Sequence, residues 1–250
     1  MIWDELRKIT QARVGLQRSG HALSTKALLE LEESHALARD SIGAEWDSLP
    51  LELALAQKKI PYLSLQSAVE GSRRTYLQRP DLGRKLQRES RSILESLKLE
   101  GQKPRMGVCV SNGLSSFSVQ RHSLPLVLGI AEGARKLGID LAPVFLVPNG
   151  RVALGDEIGQ LASLQWMVML IGERPGLSSA DSLGIYLTYE PRIGRTDAER
   201  NCISNVRPPD GLGYSQALSR LFYLIAQAQK IGATGVILKD ESSETPQLPE

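Results

Sequence analysis

The chain has 250 residues, 42% of them hydrophobic and 23% charged, an ordinary globular composition long enough for one large domain or a domain with an appendage. Its net charge of +2 gives no global electrostatic case for nucleic-acid binding. Cys109 and Cys202 are too few and too far apart for a disulfide framework or a zinc site. No charged-then-apolar leader opens the sequence, and the longest strongly apolar run, Trp166 to Ile171, is far too short to cross a bilayer. The expectation is a soluble protein of a reducing cytoplasm, with neither nucleic acid nor membrane as a partner.

The first hundred residues read as mostly helical. Leu28, Leu31, Ala38 and Ile42 share one stripe of a helix for which Ser24 is a plausible N-cap. His35 falls on that stripe and is expected to be packed and hydrogen-bonded rather than a ligand. Ile60 to Leu65 reads as a strand or an extended arm. A later helix is expected to begin at Arg79-Pro80-Asp81, because Pro80 suits a first turn. Its apolar face is Leu82, Leu86, Ile93 and Leu97. Residues 71–105 carry ten Lys/Arg against four Asp/Glu, including Arg73, Arg74, Arg79, Arg84, Lys85, Arg88 and Arg91. That bias reads first as a solvated helix face, and only second as an anion-binding surface.

The pattern changes near Pro104. Met106 to Val110 is a short apolar run, followed by a helix that Gly138 ends. Next come the run Pro143 to Val147, a helix around Ala153 to Ala162, and the run Trp166 to Ile171. This is β-α-β-α-β at the spacing of a parallel sheet. Ile185 to Tyr189 and Ile203 to Val206 are further candidate strands. A helix with Leu218, Leu221, Ile225 and Ala228 on one face follows, Gly232 stops it, and Val236 to Leu238 is a candidate closing strand. The fold class expected is α/β, a doubly wound Rossmann-like parallel sheet over 104–239. A mostly helical region, 1–103, precedes it, and an acidic tail expected to be disordered, 240–250, follows.

Parallel sheets bind ligands beyond the carboxyl ends of their strands. Three glycine-containing loops leave the first three strands in that direction: Ser111 to Ser115, Asn149 to Val152, and Gly172 to Gly176. A crevice is expected there, without an identified ligand. The common catalytic and nucleotide motifs are missing. There is no phosphate loop, Gly211-Leu212-Gly213 lacks the third glycine of a dinucleotide fingerprint, and no G-x-S-x-G surrounds Ser115 or Ser178. His21, His35 and His122 lack metal-ligand spacing, and His122 is expected to cap the opening turn of its helix. The residues alone leave a nucleotide-binding α/β protein and a structural or regulatory partner both open.

Several segments resemble the small subunits of ethanolamine ammonia-lyase. Gly150 to Gly159 reads GRVALGDEIG, similar to that family's G-R-V-x-x-x-D-x-I-G. Gly172 to Leu183 resembles its G-E-R-P-G-L-x-x-x-x-S-L, and Thr196 to Asn205 resembles its stretch ending in C-I-S-N. Arg79 to Arg84 matches R-P-D-x-G-R, and the opening Glu5 to Val14 also aligns, so the likeness runs from about residue 3 to residue 239. In the first loop many members have Asp where this chain has Asn112, which puts in doubt any role that needs a carboxylate there. Some members carry a long N-terminal extension, whereas Met1 here lies almost at the start of the shared region.

The resemblance implies a heteromeric lyase that converts ethanolamine to acetaldehyde and ammonia by radical rearrangement. Its cofactor would be adenosylcobalamin, and its partner a large barrel-type subunit holding the substrate and most catalytic groups. The assembly would be a higher hetero-oligomer in the cytoplasm, with packaging in a bacterial microcompartment left open, as is a related amino alcohol as substrate. No catalytic or metal-binding residue is assigned to this chain. The family's small-subunit cobalamin contacts carry over to Val152, Glu173 and Cys202. Glu173 would accept hydrogen bonds from the amides rimming the corrin ring, Val152 would pack against ring or tail, and Cys202 would be a small, weakly polar contact. The motif D-x-H-x-x-G, typical where a protein histidine binds cobalt, is absent: His21, His35 and His122 follow Ser19, Glu33 and Gln120 at that offset.

Overall fold

The computed structural model describes residues 2–10, 12–97 and 105–242. The chain opens with α1 (Ile2–Ile9), then β1 (Arg18–Ser19) and β2 (Ala22–Leu23), which pair as a small hairpin. There follow α2 (Thr25–Gly43), α3 (Leu49–Gln57), β3 (Tyr62–Ser64), α4 (Arg73–Gln78) and α5 (Arg88–Ser96). The second part contains β4 (Arg105–Ser111), α6 (Ser116–Lys136), β5 (Asp140–Leu141), β6 (Val144–Leu146) and α7 (Leu154–Leu161). It ends with β7 (Trp166–Gly172), β8 (Leu183–Tyr189), β9 (Asn201–Val206) and α8 (Tyr214–Ile231).

The main sheet runs β3-β6-β4-β7-β8-β9, with β5 paired to the start of β4. β3, β6, β4 and β7 are parallel, as the β-α-β-α-β pattern requires. β8 is antiparallel to β7, and β9 antiparallel to β8, so the sheet is mixed and the expectation of a wholly parallel one is corrected. The cause is the length and content of the connections. Residues 173–182 and 190–200 hold no α-helix, and a return to a parallel neighbour takes a crossover of about a dozen residues or more, usually helical. Val236 to Leu238 forms no strand. Its amides at 236 and 238 bond to Ala198 O at 2.8 Å and Gly235 O at 2.9 Å, a turn against the loop before β9.

Helices cover both faces. On one side α6, α8 and α3 pack over Val108, Val110, Val168 and Leu170, with Leu126, Ile130, Leu221 and Ile225 filling the layer. On the other, α7 and α5 pack over Cys109, Met167 and Met169 with Phe145, Leu154, Ile158 and Leu94. Alternate residues of β4 and β7 enter opposite cores, so all of β7 is buried, as expected for a central strand covered on both faces. α6 meets α8 closely: a Cβ at Gly133 would stand 2.1 Å from the Phe222 ring, and one at Gly129 2.3 Å from Leu218 Cδ1. Gly232 ends α8 in the left-handed region, its amide donating to Ala228 O, so that glycine is the stop its position suggested.

Three N-terminal expectations need correcting. Ser24 does cap α2, accepting from the Ala27 amide at 3.3 Å. Yet that helix buries only Ala27 and Ser41, while Leu28, Leu29 and Leu37 stay exposed. His35 is exposed as well, although Leu31, Ala38 and Ile42 of the same stripe are half-buried. The helix expected from Arg79 is instead a 3-10 turn, Leu82–Arg84, an extended link, and then α5. Tertiary bonds hold the link open: the Leu86 amide donates to Glu157 Oε2 at 2.8 Å and the Gln87 amide to Gln66 O at 3.0 Å. Finally, Arg73 departs from the solvated face read over residues 71–105, being only 3% exposed. The strand-or-arm reading of Ile60 to Leu65 resolves as β3 at the sheet edge. The expected boundary at 103/104 and the tail from 243 onward lie outside the described residues.

Candidate functional site

β4, β6 and β7 point their carboxyl ends the same way, which brings the three glycine loops together at one edge of the sheet. The loop after β4 lies directly on the end of β7: Leu114 N donates to Gly172 O at 2.9 Å. A Cβ on Gly113, at φ +48, would meet that oxygen at 2.4 Å, so this contact needs glycine on both steric and conformational grounds. Asn112 is buried and ties the first loop to the second, its Oδ1 accepting from the Asn149 amide at 2.7 Å. Ser111 Oγ accepts from the Gly150 amide at 2.8 Å. Ser41, near the end of α2, shares a hydroxyl hydrogen bond of 2.8 Å with Ser115 and donates to Ala180 O at 2.7 Å.

Between the loops lies a cleft of about 260 Å³, lined by Tyr76, Leu114, Arg151, Val152, Glu173, Arg174 and Tyr186 together with the glycine backbones of 113 and 172. Val152 and Glu173 are therefore brought to one site. Cys202 is not in the lining; it sits opposite Tyr186 in the β8–β9 pair, one strand further out. It is an exposed free thiol. Partial desolvation raises its pKa, the bond with Tyr186 opposes this, and the Glu173 carboxylate adds to the rise. Desolvation likewise raises the Tyr186 phenol, helped by Cys202 and Glu173.

Glu173 is half-buried and already engaged. Ser182 Oγ donates a short hydrogen bond to Oε2, Ser204 Oγ donates to Oε1 at 2.5 Å, and the Asn205 amide donates to Oε2 at 3.1 Å. A carboxylate offers about four acceptor positions, so these three bonds leave room for one further donor. They also clamp the loop after β7 to β9, which fixes the strand carrying Cys202.

Four of the segments named above for their sequence are bonded to one another here. The Arg151 amide donates to Gly83 O at 2.7 Å, linking GRVALGDEIG to Arg79–Arg84. Asp156 in the same segment accepts from Arg200 at 2.7 Å, with both side chains buried. Glu173 joins Gly172–Leu183 to Ser204 and Asn205. Distant pieces of sequence are thus bonded to the two segments, Gly150 to Gly159 and Gly172 to Leu183, that line the cleft.

His122 stands apart from this site. The cap of α6 is Ser115, whose hydroxyl accepts from the Ser118 amide. The capping role expected of His122 is corrected accordingly, since it lies a turn further on, buried, with Nδ1 2.8 Å from the Tyr214 hydroxyl. Residue-level reading also passed over Tyr76, Arg151 and Tyr186 as site residues, and met Arg73 only as one member of the basic run 71–105. Arg151 adjoins Val152 in the glycine loop and could have been found there. Tyr76 and Arg73 reach the site from α4, for which no sequence signal pointed to the cleft. Among the described residues no group of three or more His, Cys, Asp or Glu is placed to hold a metal ion, and no helix is long and apolar enough to cross a membrane.

Fold and site define an α/β protein with a loop-walled cleft beyond the carboxyl ends of its parallel strands. Residues 1–239 match the family model of the ethanolamine ammonia-lyase light chain. The chain is 46% identical over 247 residues to the ethanolamine ammonia-lyase small subunit of Ralstonia nicotianae, covering 98% of this chain and 90% of that one. It is 47% identical to the corresponding subunits of Azotobacter vinelandii and Pseudomonas fluorescens, in each case over 241 residues. Those matches cover 96% of this chain and 88% and 87% of theirs. The chain belongs to the ethanolamine ammonia-lyase light chain family.

Proposed function

We propose that this chain is the small subunit of an adenosylcobalamin-dependent ethanolamine ammonia-lyase, covering one side of the cofactor where it meets a larger, barrel-type catalytic subunit. The observation that carries the reading is that four family-like segments are bonded to one another, and two of them place Val152 and Glu173 in the wall of one cleft. The residues suit a corrinoid in kind. Val152 and Leu114 offer apolar surface, the backbones at 113 and 172 permit close approach, and Glu173 retains an acceptor position for a ring-edge amide. A cleft of about 260 Å³ is far smaller than a corrinoid, so it serves one edge, and the partner closes the rest. When bound, the cofactor supplies the weak cobalt–carbon bond from which radical deamination of ethanolamine starts. This chain's own residues bind, orient and shield.

The exposed apolar side chains of α2, Leu28, Leu29 and Leu37, support a partner-contacting role for the N-terminal region. Burying exposed leucines stabilises a helix, and these three are left open by the described residues of this chain. Deleting residues 1–40 is expected to weaken association with the large subunit more than it alters the cobalamin spectrum of the complex that remains. The whole reading is tested by mixing the separately purified subunits with adenosylcobalamin. Ethanolamine deamination should need both. Turnover by this chain alone, or full turnover and cobalamin uptake by the large subunit alone, would overturn it.

A further inference from the structure

We propose that Arg151, backed by Tyr76 and Arg73, forms a seat for a phosphodiester anion at the cleft, and that the occupant is the nucleotide tail of the corrinoid. The inference rests on the cobalamin reading above. Tyr76 is wholly buried, and the two guanidinium groups approach its ring, Arg73 at 4.9 Å and Arg151 at 5.2 Å from the centroid. Arg73 donates only to neutral acceptors, Ile42 O and Asn149 Oδ1, both at 2.9 Å. Its Nη2 is buried with no hydrogen-bond partner among the described residues. The nearest acid, Glu45, accepts from the backbone amide of Arg73 rather than from its side chain. Burial lowers the Arg73 pKa, with Arg151 adding to the effect and Tyr76 and Glu45 opposing it.

Two like charges thus flank one ring, and no carboxylate of the described residues forms an ion pair with either guanidinium. A buried charge ordinarily has a counter-charge. Here the nearby carboxylate of Glu45 is engaged by the backbone amide and forms no ion pair with the guanidinium, and the positive side chain lies behind an open cleft. Arg151, half-buried in the cleft wall, is free to present its planar fork to the ligand, while Arg73 contributes charge from behind. That fork matches two oxygens of a phosphate group. Stacking on Tyr76 limits the guanidinium's motion, and the Arg151 backbone is pinned by its bond to Gly83 O. The anion would be held beside Val152, so one loop would touch both the apolar and the charged part of the same ligand.

The test uses the complex of this chain with its large subunit and follows corrinoid binding by the change in the corrin absorption spectrum, not by turnover. Cobalamin carries the phosphodiester tail, and cobinamide lacks it. Arg151→Ala should weaken cobalamin by about ten- to a hundredfold, the usual worth of a charged hydrogen bond, and leave cobinamide affinity nearly unchanged. Retained cobinamide binding also shows that the variant is folded. Arg151→Lys, which keeps the charge without the fork, should fall between. Equal loss for both corrinoids, or no loss for cobalamin, overturns the seat while leaving the cofactor reading intact. Corrinoid uptake by the wild-type complex that does not depend on this chain overturns both.

Discussion

The side-chain oxygen of Asn112 accepts a hydrogen bond from the backbone amide of Asn149 at 2.7 Å, fastening the loop after β4 to the loop after β6. Asn149 itself sits at φ +55, a conformation that asparagine tolerates better than most residues. The Asn112 amide nitrogen faces Ser116 Oγ at 3.3 Å and Asn149 Oδ1 at 3.4 Å. Asn112 is therefore a joint between two loops, and a carboxylate is not required for that role.

Asn112→Ala should remove this joint and leave the Asn149 amide buried without a partner. The expected cost is about 1–3 kcal/mol of stability, read as a lower midpoint of urea unfolding with an unchanged slope. Asn112→Asp keeps the acceptor and lies close to the Arg73–Asn149 pair, so it should be milder. An alanine variant as stable as the parent would show that the joint contributes nothing.

Glu173 has two tasks, clamping Ser182, Ser204 and Asn205 and, in the proposed complex, receiving a corrin-edge amide. Glu173→Ala abolishes both and should weaken apparent cobalamin affinity by roughly ten- to a hundredfold. Glu173→Gln retains one acceptor oxygen and should be milder. In both, saturating cofactor should restore most of the maximal rate, because the lost contacts are shared by ground and transition states. The check is a titration of adenosylcobalamin against the rate of the reconstituted enzyme. Parental affinity with a collapsed saturated rate would place Glu173 in the radical chemistry instead.

His122 links pH to stability. Desolvation lowers its pKa from the ordinary 6.5, against the pull of Asp181, whose Oδ2 lies 3.8 Å from Nε2; Arg121 and Arg207 add to the lowering. Because the folded value is the lower one, the unfolded chain binds more protons between the two values. The contribution of neutral His122 is thus complete above about pH 6.5 and falls away as the pH drops towards the folded value. His122→Gln should flatten the melting temperature against pH in that window. An identical profile in parent and variant would assign the dependence to other groups.

Cys202 offers a direct probe of the outer strand. Cys109 is fully buried, and burial drives its thiol pKa far up, so alkylation of the native chain by iodoacetamide should modify Cys202 alone. In the complex with the large subunit, added cobalamin should slow that reaction further, as measured by mass spectrometry. Equal rates with and without the cofactor would remove Cys202 from the contact surface.

Much of this fold could be read from the chain, and the exceptions have physical causes. The runs at Met106, Pro143 and Trp166 alternate with helical patterns, so their parallel pairing follows from crossover spacing. The direction of β8 is misread as parallel although the chain carries the signal: residues 173–182 are too few, and too rich in glycine, proline and serine, to supply a crossover helix. The break between Arg84 and Arg88 was not legible, because it depends on Glu157, seventy-one residues from Leu86. His35 misled for a different reason, since periodicity places it on a stripe whose Leu31, Ala38 and Ile42 are half-buried but does not say which positions of the stripe are covered. The cleft position followed from strand direction, and Val152 and Glu173 from the family-like segments. The Arg73–Tyr76–Arg151 stack needed coordinates, because α4 meets the glycine loop only through tertiary packing.

The most direct measurement is a structure of the assembled enzyme with adenosylcobalamin bound, determined by electron cryomicroscopy. The expected result is the corrinoid at the edge formed by the loops after β4, β6 and β7. Val152, Glu173 and Cys202 would have atoms within about 4 Å of it, an ordinary contact distance, and its phosphodiester would lie against Arg151. A corrinoid held wholly within the large subunit, with this loop edge facing solvent, would contradict it.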